Sequence, residues 1–208
     1  MCGRYVITNA ASKTKALIKS AIKVDDGENY NAHPDQMLPV IKKYTNGKTL
    51  EKLKWGIIPA WSKKKKDFKP LINARLETIN EKVSFKKLIQ LKRCIAVADG
   101  FYEWKREKKN KIPYFFLRED NRTMFIAAIF DNNQFCLITE QANENILSIH
   151  HRQPVILNEK DINKYLDLQL NGSVFLKEKK KINLKFYEVT KDVNNPSTNN
   201  ISLIQKKN

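Results

Sequence analysis

The sequence predicts an α+β domain in which antiparallel strands dominate, curl into a barrel-like sheet and carry a few flanking helices. Three observations carry this prediction. Alternating or continuously apolar runs of strand length recur along the chain, as in GRYVIT, MLPVIKKY, IPYFFLR, MFIAAIF and QFCLIT. Polar clusters rich in turn residues separate them, as in TNGKT, KREKKNK, EDNR and DNN. No Pro/Gly/Ser-rich linker divides the 208 residues, so one core is expected, with a domain over residues 1–193 and a tail over 194–208.

The elements follow in order. GRYVIT alternates as a first strand, and Ser12 can cap a short helix, SKTKALIKSAIK. NYNAHPDQ reads as a loop. MLPVIKKY and TLEKLKWGII form a hairpin, because Asn46-Gly47 supplies the positive φ that a tight turn requires. The segment WGIIPAWSKKKKDFKPLINARLETI mixes Trp, Pro and Lys and reads as a long irregular connection, the kind of segment that carries function. A helix around VSFKKLIQLK leads to RCIAVADGFYEWK, IPYFFLR, MFIAAIF and QFCLIT, all strand-like. After ILSIHHRQPVIL come a helix EKDINKYLDL, a basic stretch, a last strand NLKFYEV and an irregular tail DVNNPSTNN.

Composition narrows the function classes. Lys and Arg number 39 against 22 Asp and Glu, a net charge of +17, which favours a polyanionic partner, chiefly nucleic acid. An AT-rich genome is a second source of the same lysine and asparagine bias. No apolar run approaches the roughly 20 residues of a membrane span, and YVI is too short for the apolar core of a signal peptide. Cys2, Cys94 and Cys136 lie far apart and show no metal or redox spacing, so an intracellular, reduced protein with no metal and no cofactor is expected. Cys94 and Cys136 sit in apolar runs and read as core.

Cys2 differs by position. A small residue behind Met1 permits removal of the methionine, which would leave a free 1,2-aminothiol. An α-amino group has a pKa of about 7.7–8.0 against about 10.4 for lysine, so far more of it is neutral at pH 7 and able to attack an aldehyde. The neighbouring thiol could then close a five-membered thiazolidine. Glu103, in ADGFYEWK, shares a strand face with Phe101 and Lys105, while Tyr102 and Trp104 share the other. A carboxylate among aromatics is desolvated, which raises its pKa toward the range of acid-base work; an ordinary surface salt bridge explains it equally. His150 and His151 precede Arg152 with no further metal ligand at suitable spacing, leaving structural and proton-transfer roles open. In an extended segment the two imidazoles would point to opposite faces. Asn73 and Arg75, in LINARLET, pass as loop and strand residues on their own.

Taken together, MCGRY, WGIIPAW, LINARLET, ADGFYEWK and IHHRQPVIL resemble, in this order, the motifs of the SRAP (SOS response-associated peptidase) family, over Cys2 to about Val193. The resemblance implies a mixed, barrel-like sheet flanked by helices, and a protein that senses abasic sites in single-stranded DNA by forming a thiazolidine cross-link between Cys2 and the opened deoxyribose. It implies Cys2 as nucleophile, Asn73 as an orienting group, Glu103 as proton shuttle and His150 as a proton-transfer group. Arg4, Arg75 and Arg152 would grip phosphates and Trp104 would stack near the lesion. The implied partners are single-stranded DNA and replication-fork proteins that recruit a monomer; the implied place is the cytoplasm, or the nucleoid of a bacterium. Two departures stand out: His151 occupies a position that is usually acidic, and the usual N-x-A-P loop reads NAHP from Asn31 to Pro34. Three rivals remain: an N-terminal-nucleophile glutamine amidotransferase, a peptidase acting on itself or on other chains, and a basic single-strand binder that leaves no covalent adduct.

Overall fold

The computed structural model describes residues 2–21, 27–62, 67–108 and 110–207. Its elements in chain order are β1 (Tyr5–Ile7), α1 (Ala10–Thr14), β2 (Ser20–Ala21), β3 (Asn29–Ala32), β4 (Met37–Tyr44), β5 (Gly47–Trp55), β6 (Asn73–Arg75), α2 (Leu88–Leu91), β7 (Arg93–Ala98), β8 (Gly100–Glu107), β9 (Asn110–Arg118), β10 (Met124–Asp131), β11 (Gln134–Gln141), β12 (Arg152–Pro154), β13 (Ile156–Leu157), α3 (Ile162–Tyr165), α4 (Gly172–Glu178) and β14 (Leu184–Glu188). The α+β prediction holds, with mostly antiparallel pairing. The strands form two sheets, β14-β9-β8-β1-β3 and β12-β11-β10-β7-β4-β5-β2, with β13 on β10 and β6 parallel to β11; β11 also pairs parallel with β5, so the larger sheet closes into a ring that is barrel-like without being a true barrel.

The two sheets share a core because one chain segment crosses between them. RCIAVADGFYEWK, read as one strand-like run, divides at Asp99 into β7 of the larger sheet and β8 of the smaller. Asp99 anchors the switch by accepting from Thr8 N and Thr8 Oγ1, at 2.8 Å each, and by pairing with Lys13. Gly100 is required there, since a Cβ would stand 2.4 Å from the Phe116 carbonyl oxygen and 2.4 Å from the Phe115 ring. Beyond it β8 alternates as expected. Phe101 stacks on Phe116 in the main core, whereas Tyr102 tilts against Phe115 in a smaller cluster with Val6, Tyr30, Val193 and Leu203.

Several sequence expectations are corrected by tertiary pairing. The first helix covers only Ala10–Thr14, with Ser12 inside it and Asn9 before it; the chain then turns to lay β2 along β5. The last two residues of the expected helix, 22 and 23, like the lysines at 63–66, lie outside the described residues. Part of NYNAHPDQ is strand β3, which pairs with β1 despite its asparagines. The β4–β5 hairpin pairs Tyr44 with Gly47, so its loop is Thr45-Asn46 and Gly47, at φ +132°, opens the second strand. VSFKKLIQLK and EKDINKYLDL reduce to the short helices α2 and α3, and the basic stretch holds α4, capped by the Asn171 side chain on Ser173 N and Val174 N. Among the described residues no helix is long and apolar enough to cross a membrane.

The tail is part of the packing. Leu203 is fully buried, Tyr30 N donates to Asn199 Oδ1, and Lys207 N donates to Glu188 O.

Candidate functional site

Strand β1 explains how the chain start reaches a site. It runs antiparallel to β8, pairing Tyr5 with Phe101 and Val6 with Gly100, and Tyr102 N donates to Arg4 O. The residues before Arg4 therefore run along the open edge of β8, beside Glu103 and Trp104. Cys2 is fully buried there, and its carbonyl accepts from Asn73 Nδ2 at 2.8 Å. Asn73 stands at the start of β6, whose parallel pairing with β11 turns the irregular LINARLET segment into a fixed support. The Asn73 Oδ1 atom is buried and has no hydrogen-bond partner among the described residues. An unsatisfied buried acceptor is costly, and one beside Cys2 is placed to receive a donor from the chain terminus.

Glu103 is 3% exposed, and burial pushes its carboxyl up. His150 lies half-buried beside it, Nε2 to Oε2 at 3.7 Å. His150 Nδ1 lies 3.1 Å from both the N and the O of Arg152, a backbone anchor that turns Nε2 toward Glu103. Burial lowers the His150 pKa, and the nearby positive charges of Arg106 and Arg152 push the same way. An acid shifted up beside a base shifted down makes proton exchange between the two inexpensive. Burial and the neighbouring Glu103 carboxylate push the Cys2 thiol well above its ordinary range, so the sulfur is a thiol at neutral pH.

The placement of Glu103 gives a stability prediction. A carboxyl whose folded pKa exceeds its unfolded value of about 4.3 binds more protons in the folded state, so stability falls as pH rises above that value. Glu103→Gln is therefore expected to raise the unfolding midpoint at pH 7 and to flatten its decline as pH rises above about 4.3, measured by thermal unfolding from there to pH 7; a lower midpoint at pH 7 would contradict the burial argument.

The two histidines are not on opposite faces. Their rings stack at 4.6 Å and 27°, because residues 144–151 form a 3-10 turn and bends rather than a strand. His151 is exposed and covers the ring of His150. The basic residues also differ in placement. Arg75 is exposed. Arg152, expected at a phosphate, is 8% exposed and committed internally: its guanidinium holds Glu77 at 2.7 and 2.9 Å and donates to Thr139 O at 2.7 Å. In this placement it fixes the backbone that orients His150. Arg4 donates to Asn31 Oδ1 and to Val193 O at 2.9 Å, tying the chain start to the tail. Asn31, the first residue of NAHP, is itself buried and donates to the carbonyls of Asn195 and Thr198, each at 2.9 Å. Trp104 is pinned edge-on, Nε1 donating to Asn194 Oδ1 at 2.8 Å.

A cavity of about 350 Å³ opens where these groups meet, lined by Arg4, Glu103, Trp104, Arg106, Lys111, His150 and Asn194. A larger one, about 930 Å³, is lined by Lys13, Arg118, Arg122 and Lys160 among others and contains none of the candidate reactive groups. Chemistry rather than size places the site in the smaller cavity. Sequence reasoning missed Arg106, Lys111 and Asn194. The first two lie in KREKKNK, which reads as a turn, whereas β8 continues to Glu107 and the β8–β9 hairpin pairs Arg106 with Lys111; Asn194 carried no local signal. Among the described residues no group of three or more His, Cys, Asp or Glu is arranged to hold a metal ion.

Comparison with known proteins gives a consistent picture. Residues 1–196 match the family described as SOS response associated peptidase (SRAP). Abasic site processing protein YoqW of Bacillus subtilis is 32% identical, over 99% of each chain. Abasic site processing protein YedK of Escherichia coli is 32% identical over 83% of this chain and 82% of its own. A crystal structure of a protein from Bacteroides thetaiotaomicron superposes with a TM-score of 0.84 at 25% identity, covering 99% of this chain and 100% of that one.

Proposed function

Because this chain belongs to the SOS response associated peptidase (SRAP) family, we propose that it processes abasic sites in DNA, with Cys2 as first residue of the mature chain and as the group that bonds to the lesion. The observation that carries this reading is the delivery of Cys2 by β1 to the Glu103–His150 pair, at the edge of a cavity with cationic walls. The names of the similar bacterial proteins support the substrate class.

The chemistry follows from the groups present. An abasic deoxyribose exposes its C1′ aldehyde on ring opening. The Cys2 amine adds to that carbon, giving a carbinolamine whose hydroxyl leaves as water when the Glu103 carboxyl, whose pKa burial raises, donates a proton, the N–H proton passing back to Glu103 to leave a neutral imine. The thiol then adds to the imine carbon while its proton passes to the imine nitrogen, closing a thiazolidine; the net loss is one water. Asn73 orients the terminus through the Cys2 carbonyl, and its free Oδ1 accepts from the amine. His150 hydrogen-bonds the opened sugar hydroxyl and returns the proton to Glu103. A sulfur that remains protonated suits this amine-first order better than the thiolate-first attack of a peptidase or amidotransferase.

The test is direct. The mature protein, mixed with a single-stranded oligonucleotide carrying one abasic site, is expected to give a heat-stable covalent band that an intact oligonucleotide does not give. Absence of the band with a Cys2-first chain overturns the reading.

The exposed Arg75 and the buried Arg152 separate by binding and by stability. Arg75→Ala is expected to weaken binding to all sequences alike and to reduce the salt dependence by roughly 0.7 in log-log slope, the loss of one single-strand phosphate contact. Arg152→Ala is expected to lower the unfolding midpoint instead, by about 2 kcal/mol of stability, since it leaves the buried Thr139 carbonyl and the Glu77 carboxylate without the guanidinium. Binding titrations at several salt concentrations, with thermal unfolding in parallel, distinguish the two roles.

A further inference from the structure

The β8–β9 hairpin carries a charge arrangement that the fold alone does not favour. Arg106 and Lys111 face each other directly across it, both exposed and both lining the cavity beside Glu103 and His150. Like charges opposite each other destabilise a hairpin. On the neighbouring positions of the same strand the charges are compensated, Lys105 pairing with Glu107 at 2.6 Å. Arg106 and Lys111 have no acidic partner among the described residues, and the one carboxylate lining this cavity, Glu103, is held toward its neutral form by burial. An uncompensated cation pair in a concave site is suited to hold an anion.

Its spacing from Cys2 fits a particular anion. The β1–β8 contact nearest the chain start is Tyr102 N donating to Arg4 O; an extended chain from there would bring Cys2 level with Trp104, and Arg106 lies two residues further along β8. At about 3.4 Å per residue this is about 7 Å. An extended five-carbon aldose puts about the same distance between its aldehyde carbon and a phosphate on its last carbon. Resting on the Cys2 chemistry proposed above, we infer that Arg106 and Lys111 form a phosphate subsite through which the cavity captures free aldose phosphates, 2-deoxyribose 5-phosphate as the representative, as thiazolidines on Cys2. The bonds balance as for the polymer: C–N and C–S bonds form, the carbonyl oxygen leaves as water, and no oxidant or reductant enters. The protein would then be a scavenger of small phosphorylated aldehydes as well as a reagent for lesions in a strand.

The experiment mixes the mature protein with 2-deoxyribose 5-phosphate or with 2-deoxyribose and follows the adduct, one sugar less one water, by intact mass. Because the phosphate blocks the pyranose ring and so changes the share of open aldehyde, each rate is divided by that of cysteine methyl ester with the same sugar. The expected result is a normalised preference for the phosphorylated sugar of at least about tenfold, the effect of one charge-assisted contact, falling toward unity in the Arg106→Ala/Lys111→Ala double variant. Equal normalised rates in the unaltered protein overturn the inference, as does a preference that survives in the double variant with its unfolding midpoint unchanged. An abasic oligonucleotide run alongside separates the two levels: if it cross-links while the sugar phosphate does not react, the small-molecule inference falls and the DNA reading stands; if neither reacts, the Cys2 chemistry falls and takes the inference with it.

Discussion

Cys2→Ser is expected to abolish the heat-stable adduct with an abasic oligonucleotide, while leaving an imine that borohydride traps. Serine keeps the α-amine that attacks the aldehyde and loses the sulfur that closes the ring, so the reaction should halt at a species that water reverses. Retention of Met1 should block both products, because it converts the amine into a peptide nitrogen, with DNA affinity little changed. Denaturing gels with and without borohydride read all three proteins in one experiment. A thiazolidine-like, heat-stable product from the serine variant would falsify the ring-closure step.

The second large effect is at His150. His150→Ala is expected to slow formation or release of the cross-link by ~10- to 10⁴-fold, the range for a lost proton-transfer group, with little change in DNA affinity. The geometry makes a companion prediction. Since Nε2 approaches Glu103 at 3.7 Å, His150→Ala and Glu103→Gln act on one proton path, and the double variant should be scarcely slower than the worse single one. Additive losses would mean that the two groups serve separate steps. His151→Ala should cost only a few-fold, through the ring stacked over His150. Single-turnover rates on one abasic oligonucleotide rank the four variants.

The parts of the structure legible in sequence are those governed by local periodicity. Strands such as IPYFFLR and MFIAAIF announce themselves because their inward positions are filled by Phe, Ile and Ala that are almost all buried. Alternation placed Phe101 and Tyr102 on opposite faces, and desolvation of Glu103 followed from its aromatic neighbours. What failed was decided by distant partners. The first helix stops at Thr14 because the chain after it is needed at the edge of β5, thirty residues on. The period-two rule misplaced His151 because the segment that carries it is a turn, held by Ile146 O accepting from His150 N. Arg152 reads as a free cation in sequence, and its commitment to Glu77 and Thr139 depends on β6, β11 and β12 meeting. Arg106 and Lys111 were hidden in a lysine-rich string that looked like a solvated turn.

The hydrogen bond from Arg4 to the carbonyl of Val193 spans 189 positions of the chain and so has a meaning in time. During synthesis the amino terminus leaves the ribosome first, yet the wall that encloses it is made last. At about 5–20 residues per second, that interval lasts roughly 10–40 s. Cys2, fully buried once the chain has closed around it, is open to processing enzymes throughout that window. Under the proposed chemistry, the order of manufacture leaves time for Met1 to be removed before the site assembles, and Cys2 is enclosed only when there is a finished molecule to hold it.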